Sequence, residues 1–140
     1  MGSGEDVIGY LVRSHSHEMH DVIRLLLEHG ADPNIVDSES GNTPLGDAGS
    51  EPELVRMLVE HGAYIDQLQS NGIPAVVRFI GDHQWESAQY LIARGANLEL
   101  ANADGLSVDY YLESWKTDVN GEHPEGWERV RETIAARRAR

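Results

Sequence analysis

Apolar residues gather in three runs that end alike: DVIRLLLEHGA over Asp21–Ala31, ELVRMLVEHGA over Glu53–Ala63 and ESAQYLIARGA over Glu86–Ala96. In the first run Val22, Ile23, Leu25, Leu26 and Leu27 cover most of a helical surface. That coverage predicts a helix packed on two sides. Gly30, Gly62 and Gly95 follow the runs where a left-handed helix stop belongs. His29, His61 and Arg94 stand one residue earlier, where a cation suits the negative helix end. Leu26, Leu58 and Leu91 are then equivalent core positions.

The stops lie 32 and 33 residues apart. A second glycine series, Gly41, Gly72 and Gly105, is spaced by 31 and 33 and marks a turn. New helices are expected after it, at Asn42-Thr43-Pro44-Leu45, Ile73-Pro74-Ala75-Val76 and Leu106-Ser107-Val108. Thr43 and Ser107 are candidate N-caps, and Pro44 suits a first helical turn. From Gly41 to Gly62 the step is 21 residues, against 23 from Gly72 to Gly95. The second unit is therefore short in its first helix or the turn after it. Gly46, Gly49 and Pro52 predict that this helix is weak and irregular. Within 5–14, Val7, Ile8, Tyr10 and Leu11 predict an N-terminal capping helix. A polar loop over 116–125 leads to a closing helix over about 126–139, with Trp127, Val130, Ile134 and Ala135 on one face.

This pattern resembles the ankyrin repeat, whose period is about 33 residues and whose mark is a Thr-Pro-Leu-His-like helix start. Gly41-Asn42-Thr43-Pro44-Leu45 and the run from Leu25 to Asp32 carry the resemblance, with Gly46 where the histidine usually stands. The resemblance implies an all-α solenoid with hairpin-like fingers and atypical terminal caps. It would form one domain over 1–140, with units near 5–36, 37–68, 69–101 and 102–140.

Charge then narrows the function. The chain carries 24 carboxylates against 11 Lys and Arg, a net of −13 and a pI near 4.8. Residues 1–127 carry −16 and residues 128–140 carry +3. Nucleic acid is a poor partner for such a surface, because phosphates must be met by Lys and Arg. The absence of cysteine excludes disulfides, thiolate metal sites and thiol catalysis. No apolar run is long enough to span a bilayer, and the first residues do not read as a signal peptide. The expectation is a soluble, cytoplasmic monomer that does not engage membranes.

Three histidines between His15 and His20 invite a metal reading. The repeat register places them where one helix ends and the next begins, so the side chains fan out and no metal site is expected. Motifs for hydrolysis and for phosphate or zinc binding are missing from the sequence, so neither catalysis nor a cofactor is expected.

The resemblance implies that partners bind the fingers and the first-helix side of each unit. The candidates there are Glu39, Asn42, Asp47, Arg78, Asp82 and Asp104, with Ile73 and Leu106 as apolar anchors at the finger tips. Tyr111 and Trp115, close to Tyr110, exceed what a cap needs and are further anchors. Trp85 is expected in an exposed turn, and Tyr90 in the core. A small acidic binding protein is suited to covering a basic surface. The leading expectation is a stoichiometric inhibitor, such as a bacterial immunity protein that neutralises a basic toxin or nuclease. The alternative is an adaptor or regulatory module without inhibitory role.

Overall fold

The computed structural model describes residues 7–14, 18–116 and 120–140. Its helices are α1 (Val7–Arg13), α2 (Met19–Glu28), α3 (Pro44–Asp47), α4 (Pro52–Glu60), α5 (Ala75–Gly81), α6 (Trp85–Ala93), α7 (Val108–Ser114) and α8 (Trp127–Arg138). Among the described residues, extended backbone pairs only in an isolated bridge between Leu68 and Pro74. The fold is all-α.

Helices α2, α4 and α6 stop as their glycines dictate. Gly30, Gly62 and Gly95 take φ of +91°, +97° and +97°. The next backbone N–H then turns back to the helix: Ala31 to Leu26 O, Ala63 to Leu58 O and Ala96 to Leu91 O, each at 3.0 Å. These bonds satisfy carbonyls that the helix end would leave unpaired. The rings of His29 and His61 add a second cap. Each Nδ1 lies 2.8 Å from the carbonyl four residues back, of Leu25 and Met57, and donates with its proton on that nitrogen. At the other kind of end, Thr43 and Ser107 accept from the backbone N–H of Gly46 and Tyr110 and cap α3 and α7.

The odd helices touch in sequence, α1 to α3 to α5 to α7, and the even helices do the same from α2 to α8. Within the first three pairs the two helices also pack together. The fourth pair is tied by the Trp127 indole, which donates to Leu112 O at 2.9 Å. The result is a two-layer solenoid. Helix α5 sits mid-stack and buries Ala75, Val76, Val77, Phe79 and Ile80.

Between the pairs, the fingers are linked by polar side chains. Asn34 accepts from Tyr64 N at 2.8 Å and donates to Gly62 O at 3.0 Å. Asp66 accepts from Asn97 N at 2.8 Å, one unit further on. Asn42 accepts from Ser70 N at 3.0 Å, and Asn102 donates to Asn71 O at 2.8 Å. Each link joins a finger to its neighbour and holds the units at one spacing.

The second unit is short in its first helix: α3 has four residues. Gln69 fills the space. Its side chain is buried and accepts from Thr43 N at 2.9 Å, while its amide donates to Gln67 O at 3.0 Å. Gly46 lies directly under that amide, so a Cβ there would overlap it. The same tightness explains Gly49, where a Cβ would come within 2.6 Å of the Phe79 ring.

Three expectations about burial are corrected. Helix α2 is packed on one side: Ile23 and Leu27 are buried, whereas Val22 and Leu25 are 42% and 56% exposed. Leu58 and Leu91 are fully buried, but Leu26 is only partly so. Helix α1 pairs with α2 and leaves Tyr10 68% exposed instead of covering the apolar end. All three have one cause: α1 and α2 have neighbours toward α3 and α4 only. At the other end Trp127, Val130 and Ile134 are buried, while Ala135 faces solvent.

Candidate protein-binding surface

An ion-pair row runs along the odd helices. Asp47, at the end of α3, has its side chain only 9% exposed. Arg78 of α5 donates to its Oδ1 at 3.1 Å, and Arg13 of α1 lies 3.6 Å from Oδ2. Asn42 donates to Oδ1 at 3.5 Å. Arg13 also reaches Asp37 at 3.7 Å, and Arg78 reaches Asp82 at 3.8 Å. The structure thus brings together Asn42, Asp47, Arg78 and Asp82. Asp47 is here a neutralised charge that ties three units, because two guanidiniums flank one nearly buried carboxylate.

Glu39 and Asp104 stand exposed on separate fingers and, among the described residues, make no ion pair with Arg13 or Arg78. Ile73, expected as an anchor at an exposed finger tip, is 1% exposed and belongs to the core. Its N-terminal neighbour Gly72 turns the chain inward at φ +77°, and the Ile73 carbonyl accepts from Gln69 N at 2.8 Å. Leu106, one unit on, is half-buried and packs against the core.

Near the C-terminal pairs, aromatic rings close over the short α5–α6 turn. Tyr111 lies on Gly81, where a Cβ would come within 2.9 Å of its ring. His83 holds a left-handed φ of +59°, unusual for a side-chain-bearing residue. Its ring stacks on Trp85 at 5.5 Å and meets Trp115 edge-on at 4.1 Å. Trp85 is therefore half-buried, not exposed, and its other side packs on Gly126. Trp115 Nε1 is buried without an acceptor among the described residues. Tyr90 is half-buried and lies under the guanidiniums of Arg56 and Arg94, at 5.3 and 5.9 Å.

The sequence reading missed Val36 and Leu68, which are 50% and 47% exposed. Both stand six residues after a helix-stop glycine, so the period that revealed the units also marks them. Tyr64, 65% exposed, was likewise not picked out as a surface apolar group, whereas Tyr110, grouped in the sequence with Tyr111 and Trp115, is 49% exposed.

The positive tail has an internal use. Arg138 grips Asp109 through two nitrogens at 2.8 and 3.1 Å and reaches Glu99 at 3.1 Å. The Asp109 hydrogen bond comes first among the causes that hold the Arg138 guanidinium above its ordinary pKa. Arg137 points at the last carbonyls of the third unit, Ile92 O at 3.4 Å and Gly95 O at 3.5 Å. On the outer side of α8, Arg131 pairs with Glu128, and that hydrogen bond lowers the Glu128 pKa. An open groove of about 550 Å3 between α7 and α8 has Leu112 and Trp127 at its base and charged side chains around them.

His20 pairs with Glu51 at 3.2 Å, and His15, Ser16 and His17 lie outside the described residues. Among the described residues, no three His, Asp or Glu side chains are placed to hold a metal ion. No helix there is long and apolar enough to cross a membrane.

A family model described as ankyrin repeats (many copies) matches residues 10–48. Ankyrin repeat and SOCS box protein 6 of Homo sapiens is 28% identical over 116 residues, covering 74% of this chain and 28% of the relative. SH3 and multiple ankyrin repeat domains protein 1 of Homo sapiens is 35% identical over 86 residues, covering 59% of this chain and 4% of the relative. The chain thus spans under a third of these curated relatives. Among solved structures, the ankyrin repeat domain of Bcl-3, titled a unique member of the IkappaB protein family, superposes with a TM-score of 0.70 at 25% identity. That match covers 91% of this chain and 50% of the other. Glycine-stopped helix pairs, fingers linked unit to unit and a matching solenoid over nearly the whole chain give this chain the ankyrin-repeat fold, an architecture that serves protein binding.

Proposed function

We propose that this module binds a basic protein and blocks it stoichiometrically, as an immunity protein blocks a toxin. One observation carries the reading: most of the cations are engaged inside the molecule. Arg13, Arg24, Arg78, Lys116, Arg131 and Arg138 pair with carboxylates. Arg56 and Arg94 lie over Tyr90, and Arg137 faces backbone carbonyls. Nine of the 11 Lys and Arg are thus engaged within the chain, and the excess of carboxylates faces outward. Such a surface speeds capture of a cationic partner and disfavours acidic competitors. Glu39, Asp82 and Asp104 supply outward charge, and Val36, Leu68, Leu106, Tyr111 and Trp115 supply apolar contact. No catalytic role is part of this reading.

Cross-linking of the tagged chain in its native lysate, followed by identification of the captured protein, tests it. The expected partner is basic, and its association slows as salt rises toward a Debye length below ~8 Å. Equimolar chain should abolish the partner's activity. An acidic partner, or salt-indifferent binding, refutes the electrostatic reading. A partner that stays active in the complex leaves the adaptor role. That second role is favoured by relatives whose names carry further modules, the SOCS box and SH3.

A further inference from the structure

We propose that the open end of the stack, formed by α1 and α2, is the seat for an amphipathic helix of a partner protein with Lys or Arg on its flanks. The apolar half of this stands on the repeat register alone; the cationic half rests on the basic-partner reading above.

Val22, Leu25 and Leu26 align with Leu54, Met57 and Leu58, counted back from Gly30 and Gly62. The second set is 0%, 5% and 0% exposed, because α2 lies against α4. Val22 and Leu25 are equally apolar but are 42% and 56% exposed. On the neighbouring helix α1, Val7 and Tyr10 are 37% and 68% exposed. Each pair is spaced i, i+3, so each helix shows an apolar stripe. Four of the eight exposed large hydrophobics of the described residues therefore lie on this one pair of helices.

The molecule itself indicates what covers such a face. In the second unit the cover is a helix, α2, whose buried residues Ile23 and Leu27 are spaced i, i+4. The complement is thus a helix with apolar residues at i, i+3 or i+4. Charge selects its flanks. Glu18, Asp21 and Glu28 are exposed along α2, and Arg24 is tied to Asp21 at 3.2 Å. A second copy would bring together two chains of net charge −13 each, so it is the poorer occupant. Its other end is no better, since α8 buries Trp127, Val130 and Ile134 and turns Glu128, Arg131 and Glu132 outward.

The test uses the whole chain and three fluorescein-labelled peptides of about 15 residues, long enough to form a helix on binding. One carries Leu at i, i+3, i+4 and i+7 with Lys elsewhere; the second has Glu in place of Lys; the third is the first one scrambled. Anisotropy reads affinity, and amide shifts read location. The Leu/Lys helix should bind and shift amides of 7–13 and 19–28. Val22→Ser with Leu25→Ser should weaken it about tenfold or more, as loss of central apolar contacts does. Tyr10→Ser should weaken it independently. Ala135→Ser, on the opposite end, should change nothing. Unchanged affinity in the first two variants overturns the apolar seat, as do equal binding of the scrambled peptide or shifts centred on the fingers or α8. Equal binding of the Leu/Glu peptide at this face overturns the cationic flanks, and with them the basic partner, without touching the seat. A free chain that sediments as a dimer, and as a monomer once Leu25→Ser is made, makes the second copy the occupant and overturns the proposal.

Discussion

At the C-terminal end, α8 covers the third unit with Trp127, Val130 and Ile134 and ties itself down through Arg137 and Arg138. At the N-terminal end, α1 and α2 leave Val7, Tyr10, Val22 and Leu25 in solvent. A stacked-repeat protein needs terminal units whose outer face is polar. Helix α8 is written as such a unit. Helix α2 is written as an interior one: DVIRLLLEHGA matches ELVRMLVEHGA at six of eleven positions and differs elsewhere only by like-for-like changes, although only the second has neighbours on both sides. Likeness of sequence therefore tracks the type of unit, and burial tracks its place in the row.

The same substitution at equivalent positions should separate the ends most. Met57→Asp puts a carboxylate into the apolar contact between α2 and α4 and should cost roughly 3 kcal/mol or more. Leu25→Asp should change unfolding free energy by no more than about 0.5 kcal/mol. Urea titrations of both check this, and equal losses would mean that α2 is covered in solution. Leu58→Ala should cost roughly 2–5 kcal/mol, the range for core leucines, and Leu26→Ala distinctly less. A reversal of that order breaks the comparison.

A smaller effect is expected between the ends. Gln69→Ala removes the acceptor of the buried Thr43 N–H and should cost about 1–3 kcal/mol. A cost near zero would mean that water or another side chain serves Thr43. Gly62→Ala forces a side chain into a left-handed backbone and should cost about 1 kcal/mol by thermal melts. The least is expected from Arg138→Met, about 0.5–1 kcal/mol at low salt and less at high salt, since its ion pairs are largely exposed. A salt-independent loss would mean that α8 is held by packing alone.

The glycine ladders made the helix pairs, their stops and the shortened second unit legible from sequence, because a left-handed stop at a fixed period has few other causes. Thr43, Ser107 and the buried face of α8 were legible for similar reasons: caps and helical spacing act over a few residues. The partners of side chains were not. Asp47 reads as a surface acid until Arg13 and Arg78, each about 30 residues away, are seen beside it. Ile73 reads as a finger tip until the turn at Gly72 is known to point it inward. Val22 and Leu25 read as core, since the sequence does not say which side of a helix lacks a neighbour.

Because each helix touches only its pair partner and its neighbours along the row, stability along this chain cannot be uniform. Amide exchange should follow position: slowest in α5, which has neighbours on both sides, and fastest in α1 and α2, which have them on one. The open end would be the first to breathe and the first exposed to a protease. Whatever seats there supplies the missing neighbour, so occupancy at residues 7–28 would register as slower exchange spreading inward from that end.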